Sequence, residues 1–282
     1  MSRFLTSRVL ARLAGIAGAV ALGAGVTACD AEMPSYDLVN LGDSFSAGIG
    51  SGEVTSVSVR PHCLRGDGPN HISELDAHPQ VTVLVDAACS GLDSAGIGAI
   101  LDEPLVADAL SRADVVTLTI GGNDVPWAHA IVACSSFNTE EMCEVSLRQS
   151  AAGIEHAADA AGTTVARIGA TSPGRVVVLG YPHLLDPAPR GVPMAPERAG
   201  QLNVLTDELN AALRAAVEAE GAAFVDVTER FAGHGLGSGE PWINLDLGNP
   251  AHSGNLHPNR DGYLSGYLPA LMDELGLPPT GR

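Results

Sequence analysis

Four short polar clusters in this chain carry residue types suited to nucleophilic chemistry. Asn40-Leu41-Gly42-Asp43-Ser44-Phe45-Ser46 follows an apolar run, and a serine just past a strand end can present its hydroxyl as an attacking group. Read alone, Asp43 or Ser44 is more simply a helix cap. Ala88-Cys89-Ser90-Gly91 puts a glycine where a backbone N–H can approach a ligand closely, although by itself it reads as a plain turn. Gly121-Gly122-Asn123-Asp124 offers the Asn123 amide as a donor to a developing oxyanion, against the background that Gly and Asn are turn formers. Leu256-His257-Pro258-Asn259 supplies His257, a natural general base for a serine. Any one of these signals is weak, because the chain holds nine histidines and most histidines are structural.

The clusters gain weight from the elements that would position them. Five short runs rich in Val, Leu or Ile punctuate the chain: Tyr36–Leu41, Val81–Val85, Val115–Ile120, Arg175–Leu179 and Ala223–Val227. Apolar runs with little alternation suit strands buried on both faces of a parallel sheet. Between them, Ile154, Ala158, Ala161, Val165 and Ile168 recur at helical spacing, as do Leu202, Leu205, Leu209, Leu213 and Val217. A further helix is expected over Asp261–Leu275. Strands alternating with helices predict an α/β fold with a mostly parallel sheet. Three of the four clusters then lie just beyond strand ends, where open α/β sheets bind ligands. Stretches 48–80 and 231–258 read as long loops, and such loops tend to carry function.

The ordered set Gly-Asp-Ser, Gly, Gly-x-Asn-Asp and His-Pro resembles the SGNH (GDSL) hydrolase family over the whole mature chain. Phe231–Trp242 and Gly180-Tyr181-Pro182 resemble segments of its secreted actinobacterial esterases and lipases. The resemblance implies a three-layer αβα sandwich of flavodoxin type, with a five-stranded parallel sheet in the order 2-1-3-4-5. It implies Ser44 as nucleophile, His257 as base, and an oxyanion hole from Ser44 N–H, Gly91 N–H and the Asn123 side chain. It also implies disulfides Cys63–Cys89 and Cys134–Cys143. A third bridge of those relatives is missing at both ends, with Gly237 at one of them. Many members carry an Asp three residues before the histidine; here that position is Gly254, so a Ser–His dyad with the Gly254 carbonyl orienting the ring is expected. Asp246 and Asp261 are the nearest carboxylates that could restore a triad, and Asp261 is expected to cap the final helix instead.

Residues 1–28 read as a secretory signal, with Arg3, Arg8 and Arg12 before the apolar run Leu13–Leu22. The following Cys29, in Val26-Thr27-Ala28-Cys29, resembles a lipidation site. Residues 29–282 then form the hydrolase domain. Five cysteines fit this reading: four pair, and lipidation uses the odd one. A dinucleotide-like Gly-x-Gly-x-x-Ala at Gly23–Ala28 lies inside the signal and means nothing. Leu277-Pro278-Pro279-Thr280-Gly281 reads as a solvated tail. The net charge is −18, and removing the signal with its three Arg takes it to −21. Such a chain is repelled by phosphate backbones, so nucleic acid is not an expected partner. All 15 basic residues are Arg, which excludes an active-site lysine. The mature chain lacks the Gly-x-Ser-x-Gly, Walker A and His-Glu-x-x-His motifs, and the expected chemistry needs no metal or cofactor. The expected protein is a monomeric ester hydrolase of the cell envelope, tethered to the membrane only through Cys29, or secreted. An acyltransferase and a non-catalytic ligand-binding lipoprotein are the alternatives. Acylglycerols, phospholipids, acetylated polysaccharide and small esters all remain open as substrates.

Overall fold

The computed structural model of the protein describes residues 35–57 and 62–279. Residues 1–28, read above as a secretory signal, and Cys29 lie outside the described residues. Strand β1 (Tyr36–Gly42) is followed by a hairpin of β2 (Val54–Ser56) and β3 (Leu64–Gly66), then helix α1 (His71–Asp76) and β4 (Val81–Asp86). Next come α2 (Ser94–Ile100), α3 (Pro104–Leu110), β5 (Val115–Thr119) and α4 (Trp127–Ala133). The long α5 (Glu140–Thr171), β6 (Arg175–Leu179), α6 (Pro196–Ala219) and β7 (Ala223–Val225) follow. A wide π-type turn, Gly262–Tyr267, runs into α7 (Leu268–Leu275).

The central sheet has five strands in the order β4-β1-β5-β6-β7, every pair parallel. That is the expected order 2-1-3-4-5 counted over these strands alone. β5 is buried at every residue, and β6 at all but its first, which is why both read as unbroken apolar runs. Helices α1 and α7 pack together on one side, while α5 lies against α2, α4 and α6 on the other. The expected helical stripes face inward: Ile154, Ala158, Ala161, Val165 and Ile168 on α5, and Leu202, Leu205, Leu209, Leu213 and Val217 on α6, are all buried. A Cβ placed on Gly162 would meet Ala216 at 3.5 Å, so small residues let the two long helices approach.

The stretch 48–80 is not a plain loop, since it holds the β2–β3 hairpin and α1. Helix α1 is fixed by a capping box, in which the Asn70 side chain accepts from Ile72 and Ser73 N–H. Asp261 does not cap the final helix. It makes no capping bond, and the Asn259 side chain accepts from Gly262 N–H instead. The disulfides are Cys63–Cys89 and Cys134–Cys143. By chain entropy, their loops of 26 and 9 residues' separation are worth about 3.5 and about 2.7 kcal/mol. Gly237 lies against the 185–195 loop: Arg190 N–H donates to Gly237 O (3.0 Å), and a Cβ there would sit 2.7 Å from Pro189. The two places where the relatives' third bridge was expected to be lost are therefore adjacent.

Candidate active site

The chain turns sharply where β1 ends. Gly42 has φ +115°, and a Cβ there would lie 2.6 Å from Thr119 O, so only glycine lets β1 and β5 approach while the backbone reverses. The turn leaves Asp43 buried and Ser44 facing a cleft. Asp43 accepts from Phe45 N–H (2.9 Å), while Ser44 remains available for chemistry. No helix follows: residues 44–50 are turns, so the helix-cap expectation fails for both residues, and the Asp43 side chain closes a local turn instead.

Beneath Ser44 lies a closed hydrogen-bond network. Thr119 Oγ1–H donates to Asp43 Oδ1, and Tyr181 O–H donates to Asp43 Oδ2, each at 2.6 Å. Gly122 N–H in turn donates to Tyr181 OH (2.9 Å). Thr119 N–H donates to Ser46 Oγ (2.8 Å). Burial pushes the Asp43 carboxyl upward, and its three donors oppose that shift. Burial holds the Tyr181 phenol well above its usual range, with Asp43 adding to the effect, so the phenol stays a donor. The ends of β1, β5 and β6 are tied together through this one carboxylate.

His257 reaches Ser44 from the opposite side. Its Nε2 is 2.8 Å from Ser44 Oγ, and its Nδ1 is 2.8 Å from Asn255 O. A carbonyl can only accept, so Nδ1 carries the proton and Nε2 is free to accept from the Ser44 hydroxyl. The expected Gly254 carbonyl is not the partner. It accepts from the His257 backbone N–H (3.2 Å), and Asn255, one residue closer, orients the ring. Leu256 between them stands at φ +63°, and this left-handed residue turns the Asn255 carbonyl back toward the imidazole. The loop is braced by Asn244, whose N–H donates to His257 O and whose side chain donates to Gly50 O, both at 2.9 Å. Phe45 packs on the imidazole with ring centres 5.3 Å apart. Desolvation lowers the His257 pKa to about 4, the Asn255 hydrogen bond acting in the opposite direction.

Neither carboxylate candidate touches the ring. Asp246 Oδ1 accepts from Gly248 and Asn249 N–H, and Asp261 faces Arg260. Asn123 lines the same cleft as Ser44 and His257. One of its amide hydrogens goes to Leu92 O (2.9 Å), which leaves the other for a ligand. Gly91, at φ +82°, precedes Leu92 in that turn but is not among the residues lining the cleft. The turn is held to β1 by Cys89 N–H donating to Gly42 O (3.0 Å), and to the segment before β3 by the Cys63–Cys89 bridge. No acceptor for the Ser44 or Gly91 backbone N–H is present among the described residues. Among the same residues, no group of three or more His, Cys, Asp or Glu could hold a metal ion.

Residues 41–264 match the GDSL-like lipase/acylhydrolase family. The chain belongs to that family. This GDSL protein is similar to a lipase of Streptomyces rimosus, with 32% identity covering 88% of this chain and 90% of the relative. It is similar also to lipase 1 of Streptomyces coelicolor, with 30% identity covering 95% and 96%. The crystal structure of the extracellular S. rimosus lipase superposes with a TM-score of 0.73 at 30% identity, over 85% of this chain and 99% of that one. Phospholipase A1 of Streptomyces albidoflavus gives 0.74 at 26% identity over the same shares. The GDSL chain is accordingly an enzyme of the lipase and esterase kind, a carboxylic ester hydrolase.

Tyr181 and Thr119 were not singled out by their chemistry in the sequence. Tyr181 stood only in a Gly-Tyr-Pro segment, and its signal was position: it follows β6 as Ser44 follows β1.

Proposed function

We propose that this GDSL enzyme hydrolyses acyl esters outside the cytoplasm through a Ser44–His257 dyad. The observation that carries the reading is the Ser44 Oγ to His257 Nε2 contact of 2.8 Å, with Nδ1 held by a main-chain carbonyl. Ser44 Oγ attacks the ester carbonyl carbon while its proton passes to Nε2. The oxyanion is met by the N–H groups of Ser44 and Gly91 and by the Asn123 amide. His257 returns the proton to the departing alkoxide, leaving an acyl-serine. Water then attacks that ester with His257 again as base, releasing the acid and restoring Ser44. Support for export comes from the signal-like residues 1–28, from two disulfides, and from the extracellular S. rimosus relative. On this reading Cys29 carries a lipid anchor, and a mass spectrum of the mature N-terminus with an unmodified Cys29 would refute the anchor alone.

A fluorophosphonate probe tests the nucleophile. The wild-type protein is labelled at Ser44 and Ser44→Ala is not, while ester hydrolysis falls by roughly a millionfold in the variant. An unlabelled wild-type protein would favour a ligand-binding role for the same cleft.

A further inference from the structure

Asp124 is a half-buried carboxylate to which the dyad chemistry gives no task. It follows Asn123, which lines the cleft, in the short turn Gly122–Asp124 beyond β5. Its Oδ2 accepts from both the Ser94 backbone N–H (3.0 Å) and the Ser94 hydroxyl (2.9 Å). Ser94 opens α2 and belongs to the stretch that begins with Gly91. In the same stretch, Leu92 O accepts from Asn123 Nδ2 (2.9 Å). Hydrogen bonds from two neighbouring residues therefore join the Gly91 turn to the Asn123 turn, across 30 positions of sequence.

These two turns carry two of the three donors proposed for the oxyanion, and Asn123 is bracketed between two ties. On one side, Gly122 N–H donates to Tyr181 OH, whose own proton goes to Asp43 beside Ser44. On the other side, Asp124 holds Ser94. Ser94 is buried and is itself fixed to the long α5, where Thr164 Oγ1–H donates to Ser94 O (3.2 Å). Farther along α2, the Arg167 guanidinium of α5 donates to Gly98 O (3.0 Å).

Helix α2 does not need Asp124 as a cap. The Asp93 side chain already fills that place, accepting from Gly96 N–H (2.7 Å). Nor is the carboxylate a gain for the fold. Burial raises the Asp124 carboxyl above its ordinary 3.8, with the Ser94 hydrogen bonds opposing the shift and the Asp93 charge adding to it. At neutral pH the folded chain therefore holds this charge against its own stability. A charge kept on such terms beside a cleft points to a task in the site.

We propose that Asp124 is a positioning residue for the oxyanion hole: by clamping Ser94 it fixes the turn that carries Gly91 N–H against the turn that carries the Asn123 amide. The proposal rests on the ester-hydrolase reading of Ser44 and adds a residue to it. Asp124 acts through the donors, so its loss falls on the transition state, where the oxyanion forms, and spares ground-state binding. A misplacement of about 1 Å in a reacting arrangement can cost about a hundredfold in rate.

The test measures kcat and KM on a butyrate ester for the wild-type protein, Asp124→Ala, Asp124→Asn and Ser94→Ala. Asp124→Ala is also combined with Asn123→Ala, and thermal unfolding is followed on every variant. Asp124→Ala is expected to lower kcat about a hundredfold while KM changes less than about threefold. Asp124→Asn keeps an oxygen where Oδ2 stands and recovers at least about tenfold of that loss. Ser94→Ala removes the hydroxyl but not the N–H, and lowers kcat by at least about threefold. In the Asn123→Ala background the donor to be positioned is gone, so adding Asp124→Ala lowers kcat by less than about tenfold more. The unfolding shift caused by Asp124→Ala stays the same in both backgrounds. An equal kcat loss in both backgrounds would mean that Asp124 acts elsewhere and overturns the proposal. Full kcat in Asp124→Ala, or a loss confined to KM, overturns it too and leaves the hydrolase reading standing. Where Asp124→Ala does not fold, unchanged kcat in Ser94→Ala has the same force. A wild-type protein that cleaves no ester sinks the hydrolase reading itself.

Discussion

With His257 as the proposed base, the acid limb of the pH–rate profile is set by how its ring is solvated. Its ring is partly buried under Phe45, and its partner on Nδ1 is a neutral carbonyl. With no carboxylate to favour imidazolium, desolvation dominates and the pKa falls to about 4 from the ordinary 6.5. That difference corresponds to roughly 3 kcal/mol against the charged ring. The base works only when neutral, so a lowered pKa extends activity downward, and the rate is lost as pH falls through about 4. At pH 5 a base of pKa about 4 is roughly nine-tenths neutral, whereas one of pKa 6.5 is only about one-thirtieth neutral. The assay is kcat/KM for a soluble short-chain ester from about pH 3.5 to pH 8, with product quantified by chromatography, since kcat/KM reports the free enzyme. Near-full activity at pH 5 is expected. A half-maximal rate at pH 6–7, with the protein still folded there, would mean that a carboxylate supports the ring and that the reasoning is wrong.

Asp246→Asn and Asp261→Asn should each change kcat less than about tenfold, because neither side chain reaches His257; a true triad Asp→Asn change costs about ten-thousandfold. Asn123→Ala removes one oxyanion donor and should lower kcat about a hundred- to a thousandfold, and a change confined to KM would contradict the role. Tyr181→Phe leaves Asp43 Oδ2 and Gly122 N–H without their partner, so denaturant melts should show a loss of about 2–3 kcal/mol, accompanied by a fall in kcat. His71 is buried against Tyr263 with both ring nitrogens unpartnered, and burial lowers its pKa to about 3. The unfolded chain therefore binds a proton that the folded chain refuses, and stability present above pH 6.5 is lost as pH falls toward 3. His71→Phe should remove that loss. Its unfolding midpoint should exceed the wild-type value by a margin that widens from pH 7 to pH 4, and a constant margin would count against the account.

The sheet and its two long covering helices were legible because burial on both faces and helical stripes leave periodic marks in residue type. β5 and β6 are nearly all Val, Leu and Thr, and the α5 and α6 stripes fall where their spacing puts them. Ser44 and Asn123 were legible as side chains with chemistry just past strand ends, and His257 as one in the long C-terminal loop. Gly91 itself does not line the cleft, but the next residue, Leu92, accepts through its carbonyl from the Asn123 amide that does. What stayed hidden depends on backbone angles. Leucine is disfavoured at positive φ, so nothing at Leu256 announces the left-handed turn that moves the ring's acceptor from Gly254 to Asn255. The Asp43–Tyr181–Gly122 chain was hidden for another reason: it joins residues 138 positions apart, and no local pattern encodes that distance. The short hairpin within 48–80 was missed because two three-residue strands are too brief to show alternation.

The acceptor that orients His257 belongs to the main chain. Every amino acid at position 255 supplies a carbonyl, so no single codon change can delete this member of the site. Side-chain damage cannot reach it either: deamidation of Asn255 spares the peptide oxygen as long as the backbone is not rearranged, and a carbodiimide that consumes carboxylates has nothing to modify there. The position can be lost only by moving the backbone, through the left-handed turn at Leu256 or the Asn244 brace. Mutational tolerance in this loop should therefore follow geometry rather than chemistry: residue 255 can change identity freely in respect of its carbonyl, while its apolar neighbour, with no reactive group at all, carries the constraint.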